Sequence, residues 1–298
     1  MGYLKKDLSS NLSPSSYFNL FEDKSKILLN NPWYFSIFML FVILGVLINY
    51  RWLQLEIIPT IILSALWLLF WKNSELNGKV FLIIASIFGF AHEILGVKYG
   101  YFTYLGGVLG GVPIWILPGY GAIFWSSYNL WHVFDQKYSK KWWYDLVNYF
   151  IPVSFAVMLV VDYVMFDLLH NPVTTLLKFS LAFLLFKTFA GLKLAYFVGF
   201  FTVLTEFTGE MLGTWTHPDF SLFSLMSGYI FLLWICLTIS DVMRSKRVLT
   251  LTDALKNEKI FTLADSLKIK KDWGRIEAMS AIVLTIIYTL SMLGIAEV

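Results

Sequence analysis

Cysteine is almost absent. Cys236 is the single thiol in 298 residues, so neither a disulfide nor a cysteine-built metal site can form within the chain. Charge is scarce too: 14% of residues are charged, against about 25% in soluble domains. That excludes an ordinary water-facing surface. A net charge of +3 is too small to argue for nucleic acid. Residues 1–31 are polar and lack the ordered basic, apolar and small-residue regions of a signal peptide; they read as a cytosolic tail. No G-x-S-x-G, P-loop or C-x-x-C occurs, which removes the nucleophile elbow, the phosphate cradle and the redox pair. His92-Glu93 begins like the zinc motif H-E-x-x-H, but Gly96 stands where the second histidine belongs.

Long apolar runs are abundant instead, and 58% of the residues are hydrophobic. Stretches long enough to cross a bilayer predict an all-α, polytopic integral membrane protein. Nine helices are expected, near 33–50, 53–71, 79–97, 112–134, 145–168, 173–190, 193–212, 220–240 and 276–295. The fourth is expected to begin with a re-entrant piece over Leu105–Val112, where glycines weaken a helix. Apart from Arg51, Lys98 and Lys178, all 23 lysines and arginines fall in the tail or in the even-numbered loops. By the positive-inside rule the N-terminus is cytosolic and the C-terminus extracytoplasmic in the cell membrane. The basic stretch 241–275 reads either as a solvated loop or as helices lying on the anionic inner leaflet.

The sequence repeats itself. "EILGVKYGYFT" (93–103) aligns with "EFTGEMLGTWT" (206–216), and "GYGAIFW" (119–125) with "GYIFLLW" (228–234). Upstream, "PTIILSALWLLFWK" resembles "PVTTLLKFSLAFLLFK". Matches in the same order predict a duplication, with units at 32–141 and 142–240, the loop 241–275 and a final helix in 276–298. Four helices per unit is an even number. The units are therefore parallel, related by an axis along the membrane normal, and Glu93 should superpose on Glu206.

Glu93, Gly96 and Gly100 are spaced as one helix face, as are Glu206, Gly209 and Gly213. The glycines read as positions where helices approach closely. The glutamates read either as a structural hydrogen bond between the repeats or as functional groups, since a carboxylate in a span is costly unless paired or neutralised. Asp162, Asp167 and His170 lie toward the outer end of the fifth helix, with Glu210 on the seventh and His217 and Asp219 in the loop after it. If these helices pack together they enclose an acid-lined cavity. Its acid–base candidates are Glu93, Glu206, Asp162, His92 and Asp167. Tyr99, Tyr101, Phe102, Tyr104, Trp115 and Trp215 would wall it, or else form an interfacial belt, and Lys98 or Lys178 would keep one acid ionised. His92, His170 and His217 lack a metal-ligand spacing, and no metal or other cofactor is called for.

The order Glu93-x-x-Gly96-Val97-x-x-Gly100-x-Phe102-x-Tyr104, then Gly111-Val112-Pro113, Pro118 and Trp125, resembles the carotenoid biosynthesis membrane proteins, which include the bisanhydrobacterioruberin and γ-carotene hydratases. "VVDYVMFDLLHNP" (161–172) is similar to that family's Asp-rich segment, with Asn171 in place of an aspartate before the proline. The resemblance spans roughly Glu93–Pro172. It implies addition of water to the terminal double bond of an isoprenoid membrane lipid, by an acid that protonates carbon and a second group that delivers water. The alternative reading is a proton-coupled transporter or solute-binding protein with a central site between the repeats. A third is an assembly protein without chemistry. Oligomeric state is not legible.

Overall fold

The computed structural model describes residues 31–255, apart from 142–143, 145–148 and 187–188. The chain is mostly helical. Among the described residues eight helices run in order: α1 (Pro32–Leu53), α2 (Ile57–Lys72), α3 (Leu76–Lys98), α4 (Ile116–Tyr138), α5 (Phe150–Phe166), α6 (Pro172–Phe186), α7 (Phe189–Leu212) and α8 (Leu222–Leu255). Each coincides with one of the first eight expected helices. The ninth, at 276–295, lies outside the described residues, as do the tail and 256–275. α8 continues unbroken to Leu255, so the first part of the basic stretch is helix and not loop.

Among the described residues, three segments are long and apolar enough to cross a membrane: Pro32–Leu53, Leu76–Lys98 and Leu222–Asp241. The chain is thus an all-α, membrane-embedded protein. Large apolar side chains such as Phe41, Trp52, Leu68, Val164 and Leu169 face outward, as suits a hydrocarbon surround. α4 is different. It carries Ser126, Ser127 and Asn129, all buried, and packs against α3, α2 and α7. Those polar groups are satisfied within the helix, Asn129 Nδ2 donating to the Trp125 carbonyl at 2.8 Å and Ser127 Oγ to that of Ile123 at 2.6 Å. A helix with such a polar content belongs inside a bundle and not against lipid.

α3, α4, α7 and α8 form the centre. α3 packs on α4 and on α8, and α7 packs on α8 and on α4. Each of α3 and α7 ends in the same way. In α3 the Gly100 N–H bonds the Val97 carbonyl and the Tyr101 N–H that of Gly96; in α7 the Gly213 N–H bonds the Glu210 carbonyl and the Thr214 N–H that of Gly209. This is the Schellman closure, and it requires a left-handed residue just past the helix. Gly100 (φ 75°) and Gly213 (φ 66°) supply it. A short strand follows each turn: β1 (Thr103–Tyr104) and β2 (Trp215–Thr216). They pair antiparallel, Thr103 opposite Thr216 and Tyr104 opposite Trp215. The two threonine hydroxyls meet at 3.0 Å.

Residues 105–115 contain no re-entrant helix. They form a turn closed by a Leu109–Val112 bridge and anchored where the Ile114 N–H donates to Glu56 Oε2 at 3.0 Å. The glycines there favour turns over a helix, so α4 begins only at Ile116 and not at the expected residue 112.

Candidate functional site

Glu93 lies on the last turns of α3 and Glu206 on those of α7, 2% and 8% exposed. Both are held by tyrosine hydroxyls. Tyr104, on β1, donates to Glu93 Oε2 at 2.5 Å, and Tyr120, on α4, donates to Glu93 Oε1. Tyr229, on α8, donates to Glu206 Oε1 at 2.6 Å. The two helix-borne tyrosines meet, Oη to Oη, at 3.2 Å. One continuous chain of polar atoms therefore runs from Glu93 through Tyr120 and Tyr229 to Glu206. His92 adds its Nδ1 at 3.6 Å from Glu93 Oε1. Among the described residues no lysine or arginine pairs with either carboxylate. Tyr104 lies outside the helices. Burial first, then the charges of Glu93 and Glu206, push its hydroxyl well above its ordinary range, so it stays a donor.

Aromatic rings cover this chain. Phe102 and Trp215 occupy equivalent places in the two turns, and each lies on a glycine of the preceding helix. A Cβ on Gly96 would come within 2.3 Å of Phe102 Cε1, and one on Gly209 within 2.0 Å of Trp215 Cζ2. The glycines were expected to admit a neighbouring helix. What they admit is the aromatic side chain of their own turn. Across the strand pair Tyr104 meets Trp215 (5.5 Å, 70°) and Phe102 meets His217 (5.0 Å). Trp115 joins from the loop, 6.4 Å from Trp215 and 5.3 Å from Tyr50.

The other expected site residues are placed elsewhere. Asp162 is fully buried and does not share the hydroxyl chain. It caps the N-terminus of α8: its Oδ1 accepts the Leu222 N–H at 2.7 Å and its Oδ2 the Phe223 N–H at 3.1 Å. Oδ2 also accepts the Ser221 hydroxyl at 2.9 Å and meets His170 Nε2 at 2.7 Å. A serine, a histidine and an aspartate together invite comparison with a hydrolytic triad. The geometry rejects it: one nitrogen of His170 faces both Asp162 and Ser221, and Ser221 gives its proton to the acid while accepting the Ser224 N–H. A carboxylate at a helix N-terminus, with a serine as cap, is a stabilising arrangement.

Asp167 is exposed and closes α5 in a left-handed conformation, φ 52°. Lys98 is exposed beside the Tyr99 ring, 5.6 Å from its centroid. Lys178 sits over Phe223 and donates to Ser224 Oγ at 3.3 Å. Holding an acid ionised therefore falls to hydroxyls and His92, not to these lysines. Tyr99 and Tyr101 are both partly exposed, 39% and 40%, at the rim. Glu210 accepts the His217 N–H and pairs with its Nδ1 at 2.8 Å. His92, His170 and His217 thus go to three different carboxylates. Among the described residues no group of three or more His, Cys, Asp or Glu is placed to hold a metal.

Tyr120 and Tyr229 were not among the expected site residues. Their signal was present in the second repeat block, where Gly-Tyr is shared by "GYGAIFW" and "GYIFLLW". Beside α7, Met158, Val161, Met165, Phe200, Val203, Leu204, Phe207 and Leu222 line an apolar cavity of about 200 Å³. Comparison with family models, with curated proteins and with solved structures finds no match.

Proposed function

We propose that this chain is an intramembrane enzyme of isoprenoid or carotenoid lipid metabolism that adds water across a terminal double bond by acid–base catalysis. The observation that carries the reading is the pair of buried glutamates, tied to tyrosine hydroxyls and not to cations, beneath aromatic rings. A carboxyl group so placed can hold a proton near neutral pH and deliver it. The step balances simply. The acid gives its proton to the terminal carbon, leaving a tertiary cation. Tyrosine and tryptophan faces stabilise that cation. Water bonds to the cationic carbon and passes a proton to the second carboxylate. The apolar cavity along α5 and α7 suits the tail of a lipid arriving sideways from the bilayer. Glu93 and Glu206 are the acid–base pair, Tyr104, Trp115 and Trp215 the wall around the reacting end; Asp162 and Asp167 act in the fold.

The same reading takes the chain as nine membrane spans, N-terminus cytosolic and C-terminus outside, built from two parallel four-helix repeats and a final helix. The matched Schellman turns, the matched glycine–aromatic contacts and the reciprocal strand register support a two-fold relation between the repeats. Glu93 and Glu206, and Tyr120 and Tyr229, are then equivalent pairs meeting near the axis.

The test is expression in a host that makes acyclic carotenoids, with extracted pigments resolved by mass. The wild-type chain should yield a product heavier by one water. Glu93→Gln and Glu206→Gln should reach the membrane folded and lose that product by ~10²-fold or more, the usual worth of a general acid or base. Unchanged pigments with the wild-type chain, or full activity in both variants, would remove the proposal.

A further inference from the structure

The hydroxyl chain contains more links than its tyrosines have hydrogens. Three oxygen pairs join four groups: Glu93 Oε1 with Tyr120 Oη, Tyr120 Oη with Tyr229 Oη at 3.2 Å, and Tyr229 Oη with Glu206 Oε1 at 2.6 Å. Each link takes one hydrogen. Tyr120 and Tyr229 bring two. If both carboxyls were ionised, each tyrosine would donate to its own glutamate. The two phenol oxygens would then face one another lone pair to lone pair, and two negative charges would stand buried without a lysine or arginine among the described residues. If both were protonated, there would be one hydrogen too many for the three links. One carboxylic proton completes the chain.

We propose that Glu93 and Glu206 hold a single proton between them, that it rests on Glu206, and that Tyr120 and Tyr229 are the wire through which it passes. The resting side follows from the donors. An ionised Glu93 receives Tyr104 and Tyr120 and has His92 beside it, whereas an ionised Glu206 would receive Tyr229 alone; with the proton at rest on Glu206, its hydroxyl donates to Tyr229 across the 2.6 Å link. Hydrogen bonds to the charged form favour ionisation, so the negative charge sits on Glu93. The other titratable neighbours do not alter the count: Glu210, one turn beyond Glu206, is engaged by His217, and Arg51 donates to the Leu212 carbonyl at 2.8 Å.

Transfer is a concerted shift along one line. The Glu206 proton moves to Tyr229 Oη, the Tyr229 proton to Tyr120 Oη, and the Tyr120 proton to Glu93 Oε1. No charge is created; the anion moves from Glu93 to Glu206. Only the use made of this proton rests on the hydratase reading. There, Glu206 is the acid that protonates carbon and Glu93 the base that takes the proton from water. After one turnover Glu93 is protonated and Glu206 ionised, and the wire run backward resets the site without exchange with bulk water.

Infrared spectroscopy of the purified chain in detergent at neutral pH tests the proposal without substrate. The wild type should show a carboxylic-acid carbonyl band that shifts in D₂O. Glu206→Gln should abolish it, because the glutamine amide donates to Tyr229 and completes the chain without a carboxylic proton. Glu93→Gln should keep it, because the glutamine carbonyl can accept the Tyr120 hydroxyl and an ionised Glu206 would be left buried with one donor. Absence of the band in the wild type, or a band that survives in Glu206→Gln, overturns the proposal. Loss of the band in Glu93→Gln alone also overturns it. If Glu206→Gln fails to fold, Tyr229→Phe serves instead: losing its partner should move the band to higher wavenumber, and an unmoved band overturns the assignment. A chain that shows the band but makes no hydrated product separates failure of the enzyme reading from failure of the wire.

Discussion

Gly209→Ala is the sharpest test of how the aromatic cover is built. The new Cβ would lie 2.0 Å from Trp215 Cζ2, 2.3 Å from Cε2 and 2.5 Å from Cη2. Ordinary carbon contact is about 3.5–4.0 Å, so the ring would have to retreat by roughly 1.5 Å. Little lets it do so. Its backbone is fixed by pairing with Tyr104, the Thr214 carbonyl accepts the Leu105 N–H at 3.0 Å, and Tyr104 and Trp115 pack against the ring. Overpacking of this kind costs about 1–3 kcal/mol. Alanine gains up to about 1 kcal/mol in helix propensity, leaving a net loss of up to about 2 kcal/mol. Gly45→Ala in α1 is the control, because nothing lies within 4 Å of its Cβ position; it should be neutral or stabilising by up to about 1 kcal/mol. Thermal unfolding in detergent, followed by circular dichroism, should therefore separate the two alanine variants by about 1–3 kcal/mol. Equal stabilities would mean that Trp215 does not lie on Gly209 and that the glycine serves some other contact.

Asp162→Asn should destabilise the chain by about 2–4 kcal/mol in the same assay, since one buried donor is left unsatisfied and a charge at the α8 N-terminus is lost; an effect below about 0.5 kcal/mol would contradict the capping role. Reporter fusions at Lys140 and at the C-terminus should report opposite sides of the membrane, and matching sides would contradict nine spans.

Much of the fold was legible because its causes are local. Apolar runs of bilayer length fixed α1, α3 and α8, and the same runs located the other helices within a few residues. The paired motifs at Glu93 and Glu206 marked two carboxylates that a membrane interior does not tolerate without purpose. Gly100 and Gly213 were visible as glycines, but spacing placed them on a packing face, and only the observed backbone showed them closing a helix. The meeting of Tyr120 with Tyr229, 109 residues apart, is a property of how α4 and α8 cross, and no local preference encodes that distance. Asp162 makes the same point from the other direction. A carboxylate near the outer end of an apolar helix reads as a site residue in one dimension. Tertiary packing set the start of α8 against it, and unpaired helix N–H groups in a low-dielectric interior bind a carboxylate more strongly than an open cavity would.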